Sequence, residues 1–245
     1  MMFDFSNKSL LLTGANGGIG REVARIFAAA GADMVLADRD LAPLSDFAAT
    51  LPGPGRKICL TMDASDPASA QMLVDRTMAD FGRIDHVVPS AGIYLAEPFT
   101  EMTDEQWHRT VSVNLDGVFY LLRRAAPHLG PGSSIVNLTS LAAYRGAFSN
   151  AHYGATKGAL VSLTRALARE LAPNTRVNAV APGIIETPMT QSLLAQRGDA
   201  SIAQTPLGRF GKPHEIASVI AFLCSDAASF VTGETIQVNG GIYMV

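Results

Sequence analysis

Short apolar runs alternate with amphipathic stretches along the whole chain. Residues 8–12 form an apolar run, followed by a glycine-rich turn and a helical spacing through Ile19, Val23, Ile26 and Phe27 that Gly31 ends. Strand patterns at 33–37 and 57–61 flank a helix over 41–51, which the Pro52-Gly53-Pro54-Gly55 turn stops. A helix over 67–81 leads to a strand at 86–88, and a long helix is expected over 104–122. A strand at 134–138, a helix over 153–171, a strand at 176–181, a helix over 214–224 and a last strand at 235–238 complete the series. Apolar strands alternating with helices predict a parallel sheet of about seven strands, doubly wound and covered on both faces. No linker, repeat or charge block divides it, so one α/β domain over residues 1–245 is expected.

Composition narrows the possibilities. Hydrophobic residues make up 48% and charged residues 17%, enough for a large core and too apolar for disorder. A net charge of −3 gives no electrostatic reason to expect nucleic acid or an anionic membrane as partner. No apolar run approaches the ~18 residues of a membrane span. Cys59 and Cys224 stand far apart in apolar contexts and read as reduced core thiols. With no signal-like start, a cytoplasmic location is the expectation. The five histidines lack ligand spacing, so no catalytic metal is expected.

The turn after the first strand reads Thr13-Gly14-Ala15-Asn16-Gly17-Gly18-Ile19-Gly20. Glycines there let the backbone approach a pyrophosphate, and the helix that follows adds free N–H groups and its positive dipole end. A glycine cluster alone is weak; its place between strand and helix is what a Rossmann-type nucleotide site requires. Asp38 closes the second strand, where its carboxylate can accept from ribose hydroxyls and repel a 2′-phosphate, favouring NAD over NADP. Arg39 could pair with that phosphate, although an exposed or adenine-stacked arginine is the plainer reading. Asp63, with Ala64 beside it at the end of the third strand, suits either the adenine edge or a helix cap.

Tyr153-Gly154-Ala155-Thr156-Lys157 is a Y-x-x-x-K motif whose two ends share a helix face. With Thr13-Gly14…Gly18…Gly20 and the closing Val231-Thr232-Gly233…Val238-Asn239-Gly240-Gly241, the chain resembles the short-chain dehydrogenase/reductase family over nearly its whole length. Placed beside an ammonium and the positive ring of oxidised nicotinamide, a phenol with an ordinary pKa near 10 should become more acidic and serve as acid and base. Ser140, thirteen positions before Tyr153, would hold the substrate oxygen, with Thr139 the competing hydroxyl. The resemblance makes Asn114 the fourth catalytic member, linked to Lys157 through water; read without it, Asn114 is a helix-interior polar residue satisfying a backbone group. The resemblance also puts Pro182, Gly183, Ile185 and Thr187 beside the nicotinamide, and a lid over residues 190–206. Ala91 and Gly92 would let the cofactor approach, although Pro89-Ser90 stands where the family usually has two asparagines.

Tyr94, Leu141, Arg145 and Phe148 are expected near the substrate by their position after strand ends; His152, next to Tyr153, either borders the pocket or, as the plainer reading, is structural or solvent-facing. Cations at Arg123-Arg124 suit a helix C-terminus. The nearly all-apolar helix from Tyr153 predicts self-association, and the resemblance implies a homotetramer or homodimer. The expected activity is NAD-dependent interconversion of a small secondary alcohol and a ketone. The alternatives are an NADPH-dependent 3-oxoacyl-[acyl carrier protein] reductase and a non-catalytic dinucleotide sensor.

Overall fold

The computed structural model describes residues 3–244; residues 1, 2 and 245 of the expected domain, and the side chains of residues 192, 193, 195–197 and 199, lie outside that description. A seven-stranded sheet runs in the order β3-β2-β1-β4-β5-β6-β7, with every pairing parallel. Its strands are β1 (Ser9–Thr13), β2 (Asp33–Asp38), β3 (Lys57–Thr61), β4 (Ile84–Pro89), β5 (Leu129–Leu138), β6 (Thr175–Pro182) and β7 (Thr235–Val238). The order reverses between β1 and β4. In open sheets of this kind the ligand crevice lies at that switch point, outside the carboxyl ends of the strands.

Alternation along the buried strands builds two cores. In β1, Leu10 and Leu12 join one cluster while Leu11 joins the other; in β2, Met34 and Leu36 separate from Val35 and Ala37 in the same way. The first cluster takes in α1 (Gly18–Ala29), α2 (Leu41–Ala49) and α9 (Pro213–Cys224). The second takes in α3 (Pro67–Phe81), α5 (Gly117–Ala125) and α7 (Ala151–Glu170). The doubly wound, two-faced sheet expected from the periodicity is the one observed.

Several boundaries differ from the sequence reading. Helix α7 begins at Ala151 and ends at Glu170, so Tyr153 is its third residue. The expected long helix is three pieces: α4 (Asp104–Val111), a π turn at Ser112–Asp116, and α5. Apolar periodicity does not register one extra residue in a turn, and such turns gather at functional sites. Asp63 does not cap α3. Asp66 does, accepting from the N–H groups of Ala68 and Ser69, while Asp63 Oδ1 accepts from Ser65 N at 2.8 Å. A four-residue helix, α6 (Ala142–Arg145), was too short to read from spacing, and α8 (Gln191–Ala203) occupies the expected lid.

Candidate active site

The glycine turn carries out its task by lacking side chains. A Cβ on Gly14 would stand 2.6 Å from the Ser90 and Ala91 backbone, and one on Gly20 would stand 2.1 Å from the Gly14 carbonyl oxygen. Gly14 also has φ of +64°, where a side chain is strained. No side chain caps α1, and its first turn holds no acid, so the N–H groups there keep their capacity for an anion. Gly14, Gly17, Gly18 and Ile19 line a cleft, and Thr187 closes over Gly18 from the other side.

Asp38 completes this end. Its Oδ2 accepts from Asn16 N at 2.9 Å and its Oδ1 from Arg39 N at 2.8 Å. The carboxylate therefore stands fixed beside the glycine turn with lone pairs left for hydroxyls. Asn16 does not line the cleft; its side chain accepts from Arg21 and its N–H is spent on Asp38. Arg39 is exposed. Like Asn16, the residues Gly20, Asp38, Arg39, Asp63, Ala64 and Ala91 are not among those lining the cleft; Ala64 instead packs against Gly117, whose absent Cβ would stand 2.3 Å from the Ala64 carbonyl oxygen.

The same cleft continues to Ser140, Tyr153 and Lys157, and past Gly92, Pro182, Gly183, Ile185 and Thr187. Ser140 follows β5, and Tyr153 and Lys157 project from one face of α7. Ser140 stands near enough to the Tyr153 hydroxyl to lower its pKa, and its Oγ accepts from Ala142 N at 3.1 Å, whereas Thr139 Oγ1 donates to Val180 O at 2.7 Å; the competing hydroxyl is occupied by the sheet. Lys157 Nζ donates to Leu138 O at 2.9 Å and lies 5.6 Å from the Tyr153 ring centre.

Electrostatically the pair departs from expectation. Burial pushes the phenol up to about 12, outweighing the Ser140 hydrogen bond that lowers it, and burial pushes Lys157 down to about 8. The chain by itself therefore does not make Tyr153 acidic, because desolvation disfavours the charged form of both groups.

Asn114 does not line the cleft. Its Oδ1 accepts from Ile93 N at 2.8 Å and its Nδ2 donates to Ile93 O at 2.9 Å, so it satisfies a backbone segment from the π turn. A Cβ on Gly92 would stand 3.2 Å from Asn114 Oδ1 and 3.9 Å from Lys157 Nζ, so Gly92 is where the two approach. Sequence reasoning passed over Ser90, Ile93 and Leu138 as lining residues, whereas Pro188, Met189 and Thr190 continue the segment and lid already expected at the site. Their adjacency to named strand ends was the available signal.

The remaining candidates separate clearly. Tyr94 stands edge-on to Tyr153 with ring centres 4.9 Å apart. Arg145 donates to Ile242 O, Arg124 to Tyr120 O, and Arg123 lies over Phe119. His86 is a core residue bonded to Ser134, and burial pushes it down to about 4. His152 is fully buried and does not line the cleft, which favours the structural role over the pocket and solvent. Among the described residues no three His, Cys, Asp or Glu side chains gather, and no helix is long and apolar enough to cross a membrane.

A glycine cradle with uncapped helix N–H groups, continuous with a Ser–Tyr–Lys group, defines a nicotinamide-dependent oxidoreductase acting on CH–OH groups. A family model described as enoyl-(acyl carrier protein) reductase matches residues 14–243. A 3-oxoacyl-[acyl-carrier-protein] reductase of Thermotoga maritima is 38% identical over 96% of this chain and 97% of its own. The meso-2,3-butanediol dehydrogenase of Serratia marcescens is also 38% identical, over 97% and 95%. A crystal structure from Brucella melitensis, titled a short-chain dehydrogenase/reductase and glucose/ribitol dehydrogenase, shares 65% identity over the whole of both chains with a TM-score of 0.98. The chain belongs to the short-chain dehydrogenase/reductase family.

Proposed function

We propose that the chain interconverts a secondary alcohol and a ketone with NAD(H), using Tyr153 as acid and base. The observation that carries this reading is one cleft that joins Ser140, Tyr153 and Lys157 to a glycine turn with Asp38 locked beside it. The backbone of Gly14, Gly17, Gly18 and Ile19 would hold the pyrophosphate, and Asp38 the adenosine ribose, at the cost of repelling a 2′-phosphate. Gly92, Pro182, Gly183, Ile185 and Thr187 would flank the nicotinamide. When bound, that group accepts or supplies the two electrons and one hydrogen of the reaction. Moving the proton is left to the protein.

Ser140 holds the substrate oxygen against the phenol, a positioning and charge-stabilising role. With its pKa near 12, Tyr153 is a neutral phenol at pH 7, set to donate to a ketone oxygen. To take the proton of an alcohol its pKa must fall, and Lys157 is the cation the chain provides for that purpose. Asn114 fixes the 92–93 backbone beside Lys157, which is consistent with a place in a water-linked path from the ammonium. Residues 190–206, with α8, serve as the lid, and residues 1–245 act as one domain. Ala155 and Ala166 leave an exposed small-residue face on α7, which supports assembly as a homodimer or homotetramer.

A paired NADH and NADPH assay over ketones, diols, sugars and acyl thioesters tests the reading. We expect NADH-dependent ketone reduction that Tyr153→Phe lowers by about 10³-fold, within the usual range for acid–base catalysis, with NADH binding within twofold of wild type. Retained turnover would remove Tyr153 from its role. Preference for NADPH and acyl thioesters would favour the acyl reductase that several relatives are named for.

A further inference from the structure

The residues just before Tyr153 break two local rules. Ser149 has φ of +59°, a left-handed conformation that is strained for a non-glycine residue. Asn150 is the N-cap of α7 and belongs to a residue type that caps well, yet its side chain makes no cap hydrogen bond. Its Nδ2 instead donates to the Tyr94 hydroxyl at 3.2 Å and to Phe148 O at 3.0 Å. The next residue but one, His152, is 0% exposed, and its Nε2 donates to Glu97 Oε2 at 2.7 Å. Glu97 N also donates to Ser149 O at 2.7 Å. Among the described residues, Asn150 Oδ1 and His152 Nδ1 are buried without a hydrogen-bond partner, so the arrangement persists despite unsatisfied polar atoms.

These contacts join the same two segments, the stretch after β4 and the head of α7, at two points. Tyr94, bonded at the first point, stands with its ring perpendicular to that of Tyr153, the residue after His152. Local costs that converge on one geometry suggest that the geometry is what is being maintained. We propose that Glu97, His152 and Asn150 are positioning residues: a clamp that holds Tyr94 edge-on against Tyr153 and so fixes the phenol and one wall of the substrate pocket. The clamp acts on the ring that the functional reading makes the acid and base, and rests on that reading.

The pair can be loosened without touching the reacting groups. Glu97→Ala removes the acceptor of His152; Glu97→Gln keeps an oxygen there. With NADH and the probes acetoin, cyclohexanone and ethyl acetoacetate, we expect Glu97→Ala to lower kcat by about tenfold to a hundredfold, the scale of a misplaced reacting group. NADH affinity, read by fluorescence, should stay within twofold, and Glu97→Gln should recover most of the rate. A crystal structure of Glu97→Ala should show the two rings out of their perpendicular contact. Unchanged kcat with the rings still in contact overturns the clamp, and so does a loss of NADH affinity in step with kcat that Glu97→Gln does not restore. Should Glu97→Ala not fold, Tyr94→Phe keeps the ring and loses the Asn150 bond; a severalfold fall in kcat with altered preference among the three ketones supports the clamp, and unaltered kinetics overturn it. A wild type that reduces none of the ketones counts against the functional reading alone, because the ring geometry of the variants still tests the clamp.

Discussion

The two ends of the cleft are built by opposite means. At the phosphate end the working parts are backbone, and the determining feature is missing atoms: no Cβ fits at Gly14 or Gly20, and no side chain caps α1. At the chemical end the working parts are side chains brought from β5, α7 and the segment after β6, and the determining feature is lost water around Tyr153 and Lys157. The first end is limited by sterics and tolerates nothing added. The second is limited by electrostatics, so replacing a charged group should relieve the fold while ending the chemistry.

Adding one methyl group at the phosphate end gives the largest stability effect expected from this contrast. In Gly20→Ala the new carbon would meet the Gly14 oxygen at 2.1 Å and the Ala15 Cα at 2.9 Å, both backbone atoms with no rotamer to yield. Overpacking of this kind costs about 1–3 kcal/mol or more. We expect the melting temperature to fall by about 5 °C or more, since each kcal/mol moves a chain of this size about 2–4 °C, together with NADH affinity. Gly130→Ala is the control, since a Cβ there meets nothing within 4 Å. Equal behaviour of the two variants would show that the turn is looser than its contacts imply.

A smaller effect is expected where the two modes meet. Asp38 is a side chain, but it is tied to backbone through Asn16 N and Arg39 N. Asp38→Ala removes a negative charge that opposes a 2′-phosphate and leaves the adjacent Arg39 exposed to it. The ratio of kcat/KM for NADPH over NADH should rise by about tenfold, equivalent to about 1.4 kcal/mol. An unchanged ratio would mean that the carboxylate serves only to hold the glycine turn.

The contrast also explains how much was legible. A backbone site is local in sequence: Thr13 to Gly20 and Asp38 could be read because strand, turn, helix and strand follow each other directly, and alternation such as Leu10, Leu11, Leu12 set the two-faced sheet. Tyr153 and Lys157 were legible for the same reason, as an i, i+4 pair. What lies across the cleft was not. Tyr94 meets Tyr153 from 59 positions away, and Glu97 meets His152 from 55, with no local pattern to announce either contact. Asn114 sits in a π turn that apolar spacing cannot distinguish from an ordinary helix. The high pKa of Tyr153 in the cofactor-free chain was not legible, because spacing reveals the nearby ammonium but not the burial that outweighs it.

That burial gives the most specific prediction. The Lys157 pKa is pushed from 10.5 down to about 8. Between those values the unfolded chain holds a proton that the folded chain has released, so stability rises with pH across that window and the full penalty is present below about 8. Each unit corresponds to about 1.4 kcal/mol, so the penalty at pH 7 is on the order of 3 kcal/mol, offset in part by the hydrogen bond to Leu138 O. Lys157→Met should therefore raise the melting temperature of the cofactor-free chain by a few degrees at pH 7, with the gain fading as pH approaches 10.5. Tyr153 runs the other way: its folded pKa of about 12 lies above the ordinary 10, so its contribution is present below pH 10 and is lost as pH rises through 12. Thermal melts of wild type, Lys157→Met and Tyr153→Phe from pH 6 to 10.5 separate the two residues. A Lys157→Met chain that melts lower than wild type at pH 7 would mean that the ammonium is better solvated than its surroundings imply, and the two ends of the cleft would then differ less than their geometry suggests.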